Sequence, residues 1–295
     1  MSKSNWFVAL TAAMTLSACG GGGGSGDSSA VGRSAVFLKD AGSGGFTVTG
    51  TGSTANSGGT IQNVSGTDAN NATGIGVYVE NTNNISLNNM LFGNGTTMGN
   101  YSIKGVNVDN FTLRDSVING TSGTTAAAEN ESAIFFTNLN GVGLFEGNSI
   151  SGGFTDNMRI QNSENGQTLN LFVRDSANDQ AVFGNTGETV SANDALNVQV
   201  GNDGNVRMLV SGVQFTGWRG DGIQASAFDT ANLDATVLNN SFANSNGNIA
   251  SAGGIAVLIG GSAAGGTWGV DYTIQGNTTT GSKGVAIAAS FNGWG

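Results

Sequence analysis

Val237-Leu-Asn-Asn-Ser-Phe242 reads as the end of one short strand, a polar turn and the start of another. The pattern returns at Leu87-Asn-Asn-Met-Leu-Phe92, Leu113-Arg-Asp-Ser-Val-Ile118, Phe145-Glu-Gly-Asn-Ser-Ile150, Phe172-Val-Arg-Asp-Ser176, Val210-Ser-Gly-Val-Gln-Phe215 and Ile274-Gln-Gly-Asn-Thr278. Its turn column is Asn89, Asp115, Asn148, Asp175, Gly212, Asn240 and Asn277. These residue types tolerate a left-handed backbone. A turn that recurs once per unit implies a solenoid.

A second column of short β-type runs supports the repeat. The runs begin at residues 75, 103, 134, 158, 196, 223, 255 and 285, so the steps range from 24 to 38 residues. Such periods mark stacked repeats that bury one continuous core between neighbours. Within the runs, Ile75/Val77, Ile134/Phe136, Met158/Ile160, Leu196/Val198, Ile223/Ala225, Ile255/Val257 and Val285/Ile287 share one parity. Strand period two puts them on one face, the interior. The run at Ile103 departs from this, because Gly105 replaces its second apolar residue. The chain has 50 Gly and no Pro in 295 residues. Average usage would give roughly 15 Pro, and Pro cannot donate to a strand ladder. The total lack of Pro, loops included, has no full physical account. Beyond the N-terminus no apolar stretch has helical period.

The strand, Asn turn, strand unit resembles the right-handed parallel β-helix of the pectate-lyase-like superfamily. Gly58 to Gly66 and Gly253 to Gly261 also resemble bacterial surface β-helix repeats of the adhesin and autotransporter-passenger type. The resemblance implies an all-β, single-stranded right-handed parallel β-helix of about eight rungs over residues 35–295. It also implies an asparagine ladder at Asn89, Asp115, Asn148, Asp175, Asn240 and Asn277, which Gly212 interrupts. Fold alone does not set the activity, because function lives in sites grafted onto folds.

Residues 1–19 read as a targeting segment and 20–34 as a tether. Lys3 precedes an apolar stretch, Trp6 to Leu16, too short to span a bilayer. Leu16-Ser-Ala-Cys19 resembles the bacterial lipobox, which implies cleavage before Cys19 and a lipid on its sulfur. The following Gly20-Gly-Gly-Gly-Gly-Ser-Gly26 has no side chains to pack. The expected location is a lipid-anchored exported protein, at the outer membrane or cell surface. Cys19 is the single cysteine, so no internal disulfide forms.

Ten basic and twenty acidic residues give a net charge of −10. There is no Lys/Arg cluster, so nucleic acid is not an expected partner. The triplets Asn84-Ile-Ser, Asn94-Gly-Thr and Asn110-Phe-Thr match a glycosylation pattern but read as turn chemistry in so Asn-rich a chain. There is no histidine, which removes His-based acid–base catalysis and Ser-His-Asp triads. No cofactor and no metal site are expected, since zinc lacks its Cys/His ligands and the carboxylates are scattered. Glycoside hydrolysis needs two convergent carboxylates, and no Asp-Asp pair occurs. Arg114-Asp115 and Arg174-Asp175 admit a base-and-ligand reading, but their Asp residues fall on the turn column, which makes them structural. Arg219-Gly-Asp221 reads as the turn into the strand at Ile223.

The opposite parity of the runs is the candidate binding face. Tyr78, Lys104, Phe135, Arg159, Gln161, Asn197, Gln199 and Gln224 are expected side by side over six repeats, ~4.8 Å apart. This is either an ordinary solvated sheet face or a glycan groove centred on Lys104, Phe135 and Arg159. Past Gln224 the parity turns apolar at Ala256, Leu258, Ala286 and Ala288, where the tail at Phe291 and Trp294, or a partner, would cover it. The functional expectation is a non-catalytic, adhesin-like or glycan-contacting surface lipoprotein, whose partner is an extracellular polysaccharide or a cell-surface component. The competing expectation is a polysaccharide lyase or glycoside hydrolase on the same fold.

Overall fold

The computed structural model describes residues 15–17, 34–51, 54, 56–66, 73–123, 131–184, 194–245, 255–262 and 268–292. Cys19, the Gly/Ser run, the Phe291 side chain and Trp294 lie outside the described residues. The described elements are all strands, paired in parallel into curled sheets, an arrangement compatible with a solenoid.

Three strand columns can be followed along the stack. Met158–Asn162, Leu196–Val200, Ile223–Phe228, Val257–Ser262 and Ile287–Asn292 form part of the first. Thr168–Arg174, Asn205–Ser211, Asn232–Leu238 and Gly269–Gln275 belong to the second. The third holds short strands such as Ser149–Ile150, Val182–Phe183, Gln214–Thr216 and Ser241–Ala243. Ile75–Asn88, Tyr101–Arg114 and Ile134–Glu146 run through the first and second columns without a break. Thr15–Ser17 pairs in parallel with Gly59–Gln62, although the sequence reading assigns those three residues to the targeting segment.

Interior rows follow the parity expected. Val77, Ile103, Ile134, Met158, Leu196, Ile223 and Val257 are in register and buried. The row passes through Val77, Val257 and Ile287, two residues beyond the expected starts at Ile75, Ile255 and Val285. A slip of two keeps every side chain on its face, so apolar parity cannot detect it. Ile75 packs instead with Tyr78, Tyr101 and Phe135. At the far end Val285 and Ile287 are 58% and 53% exposed, because no described strand stacks beyond them. In the third column Phe183, Phe215 and Phe242 stack with centroids 5.3 and 4.7 Å apart. Gly105 is a socket in the interior: a Cβ there would lie 2.3 Å from the Phe136 ring, which fills the space and meets Phe111 edge-on.

The turn column is two columns, one residue apart. Left-handed φ occurs at Asn89, Asp115, Gly147, Gly212, Asn239 and Gly276. The stacking position is the next residue. Asn148 Oδ1 accepts from the Ser116 amide at 3.0 Å, and its Nδ2 donates to the Leu113 carbonyl at 2.8 Å. Asn240 bonds the Val213 amide and Val210 carbonyl in the same way, and Asn277 bonds the Asn240 amide and Val237 carbonyl. Asn89 and Asp115 therefore make the turn rather than the ladder, and Ser116 takes the ladder place, its Oγ accepting from the Met90 amide at 3.0 Å. Gly212 is a turn residue, and the ladder is interrupted at Val213. Asp175 lacks a left-handed φ and accepts from the Ala181 amide at 2.7 Å. Asn suits both positions, one for its backbone and one for its amide, so residue type alone merges them.

A further Asn system lines the corner between the first two columns. Asn81 Nδ2 donates to Asp40, Asn107 to Asn81 and Asn138 to Asn107, all with left-handed φ. Three residues on, Asn110 donates to Asn84, and Gly141 holds the equivalent left-handed place. The signal is Asn-x-x-Asn/Gly at Asn81, Asn107 and Asn138, which the sequence reading missed. Asn84, Asn94 and Asn110, the residues of the glycosylation-like triplets, are all left-handed turn residues.

Candidate functional site

The first-column face brings together the expected binding residues. Phe37, Tyr78, Lys104, Phe135, Arg159, Asn197 and Gln224 follow one another in register. Gln161 and Gln199 are register partners two residues along. The face is not open, however. Tyr78, Lys104 and Phe135 are 7%, 6% and 7% exposed. The rings pack on one another: Phe37 stacks on Tyr78 at 5.2 Å and Tyr101 on Phe135 at 5.8 Å. The Lys104 ammonium lies 4.7 Å from the Tyr101 centroid and 5.9 Å from that of Phe135. This corrects the expectation of an exposed platform. Aromatic rings one strand spacing apart bury each other, which parity does not reveal.

Apart from Gln161, the polar members of this face are also committed. Tyr78 Oη donates to Glu80 at 2.8 Å, and Lys39 pairs with Glu80 at 3.0 Å. Burial, then the Glu80 bond, pushes the Tyr78 phenol up. The Tyr78 and Lys39 bonds hold the Glu80 carboxyl below its usual range. Arg159 donates to Asp156 and to Gln199. Asn197 Nδ2 donates to Asp194 and to Gln224.

Beneath that row stand three stacked aspartates that sequence reasoning missed. Asp156 Oδ1 accepts from the Asp194 amide at 2.9 Å, and Asp194 Oδ1 accepts from the Asp221 amide at 2.6 Å. The Ile255 amide bonds Asp221 in turn. All three are buried. Their second oxygens face different partners: Arg159 at Asp156, Asn197 at Asp194, and none among the described residues at Asp221 Oδ1. Desolvation pushes all three carboxyls up, with the charges of Asp156 and Asp221 adding to the effect at Asp194; Asp221 reaches about 6. The signal was an Asp two residues before Met158, Leu196 and Ile223. The Arg219-Gly-Asp221 tripeptide is buried, with Arg219 1% and Asp221 6% exposed, and leads into the strand at Ile223.

The second-column face is the open one. Arg114, Glu146 and Arg174 are register partners. Arg114 Nε and Nη2 meet Glu146 Oε2 at 2.8 and 2.6 Å, and Arg174 Nε and Nη2 meet Oε1 at 2.7 and 2.5 Å. Both guanidinium groups are thus spent on a structural carboxylate. Asp115 is held by Ser176 Oγ and Asn178 Nδ2. These residues line a cleft of about 530 Å³. Farther along, a second cleft of about 470 Å³ is lined by Asn170, Arg207, Asp234 and Asp271, which form one register row, with Asn205 and Asn232 beside them. Arg207, Asp234 and Asp271 are exposed, and no side chain of that row makes a hydrogen bond or ion pair among the described residues. Among the described residues no group of three or more His, Cys, Asp or Glu is placed to hold a metal ion. Comparison with protein-family models, curated proteins and solved structures finds no match.

Proposed function

We propose that this chain is a right-handed parallel β-helix of about eight rungs, lipid-anchored at the cell surface through Cys19, which contacts glycans without turning them over. The observation that carries the reading is the contrast between its two outward faces. The first is filled by its own rings and internally bonded. The second presents clefts in the size range of ligand sites, and the row Asn170, Arg207, Asp234 and Asp271 in one of them has no bonded partner among the described residues. The carboxylates raised toward the acid–base range, Asp156, Asp194 and Asp221, are buried and line neither cleft, which favours binding over catalysis.

The test is a glycan array probed with the full mature chain, followed by assays for reducing-end and unsaturated-uronate release. Binding without turnover is expected, and robust turnover would establish the enzyme instead. The anchor is tested by metabolic palmitate labelling of wild type and Cys19→Ser. Label confined to the wild type is expected; equal label, or none in either, refutes the anchor.

A further inference from the structure

The row Asn170, Arg207, Asp234 and Asp271 differs from its neighbours in one respect. On the first-column face the described cations are already engaged, Lys39 by Glu80, Arg159 by Asp156 and Lys104 by two rings. On the second-column face Arg114 and Arg174 share Glu146. Arg207 and Asp234, by contrast, are direct register partners of opposite charge, yet they form no ion pair. Asp271 follows Asp234 in the same row, one strand spacing on, ~4.8 Å. A guanidinium, two carboxylates and a carboxamide thus line one cleft with nothing among the described residues bonded to them.

We infer that this cleft binds a neutral, hydroxyl-rich glycan lying along the stacking direction, with Arg207, Asp234 and Asp271 as its principal contacts. The inference rests on the glycan-contacting reading and specifies where the ligand lies and what kind it is. A carboxylate has two acceptor oxygens and no donor, which suits pairs of neighbouring hydroxyls. Arg207 and the Asn170 amide supply donors for hydroxyl and ring oxygens. Successive strands place these groups at a constant spacing along the stack, which matches an extended chain rather than a compact metabolite. Two residues away on the same face, half-buried Phe172 and Leu209 give an apolar border for sugar C–H groups. Charge selects against uronates: the row carries two carboxylates and one guanidinium, and the whole chain is at −10.

The experiment probes an array of neutral and uronic-acid oligosaccharides with the full mature chain and with Arg207→Ala/Asp234→Ala/Asp271→Ala. Wild type is expected to bind neutral spots. The variant, changed only at exposed side chains, should keep its melting temperature and bind at least about tenfold more weakly, the loss of roughly one charged hydrogen bond. Undiminished binding by the folded variant overturns this site and leaves the glycan reading standing. Binding confined to uronate spots overturns the ligand class. Wild-type binding to no spot overturns the glycan reading itself and this site with it.

Discussion

Asn240 illustrates what one side chain carries here. It is fully buried, its Oδ1 takes the Val213 amide at 2.9 Å and its Nδ2 reaches the Val210 carbonyl at 3.0 Å. Both backbone groups belong to the neighbouring repeat, so the side chain ties one unit to the next. Asn240→Val leaves a donor and an acceptor buried and unmet, at ~1–3 kcal/mol each. A clear fall in melting temperature is expected, and unchanged melting would mean that these bonds are not made in solution. The left-handed residue is Asn239, so Asn239→Val should be destabilising for a different reason, backbone strain of ~1–3 kcal/mol. Sequence alone identified the turn but not this division of labour. Asn239 and Asn240 are identical in type, and only the φ values and the bonds separate them.

Among elements, the stacked aspartates have a consequence for pH. Asp156, Asp194 and Asp221 are all raised from 3.8, Asp221 to about 6. Between the unfolded and folded values the native state holds more protons than the unfolded chain, so stability falls as pH rises through that window. Arg159 pairs with Asp156 and Asn197 bonds Asp194, so this cation sits at the Asp156 end of the stack. Glu80 has the opposite sign: its depressed value contributes stability that is lost on acidification through the folded value, below 4.5. The melting temperature is therefore expected to rise as pH is lowered from 7 to about 5. Asp221→Asn should flatten that rise while keeping the acceptor for the Ile255 amide. A pH-independent melting temperature over that range in wild type would contradict the buried stack. The strands themselves were legible, because period two survives a register slip of two. The continuous 13- and 14-residue strands were not, since their corner is made by Asn81, Asn107 and Asn138 within what reads as a loop.

Across the whole molecule, the two outward faces differ in role. Sequence placed Tyr78, Lys104, Phe135, Arg159, Asn197 and Gln224 side by side, and the structure has them in register. It could not tell that the rings would close over one another, because exposure depends on side chains from neighbouring repeats such as Phe37 and Tyr101. Nor did it single out Arg207, Asp234 and Asp271, which lie in different repeats and share no local motif. The measurement that bears most directly on this division is a side-by-side thermal melt of two triple variants. Lys104→Ala/Phe135→Ala/Arg159→Ala removes a buried ring and a buried cation and should cost at least ~3 kcal/mol, or ~5–10 °C at this chain length. Arg207→Ala/Asp234→Ala/Asp271→Ala should melt within about 2 °C of wild type, as exposed substitutions do. The reverse order, or equal melting of the two variants, would contradict the assignment of a structural first face and a free second one.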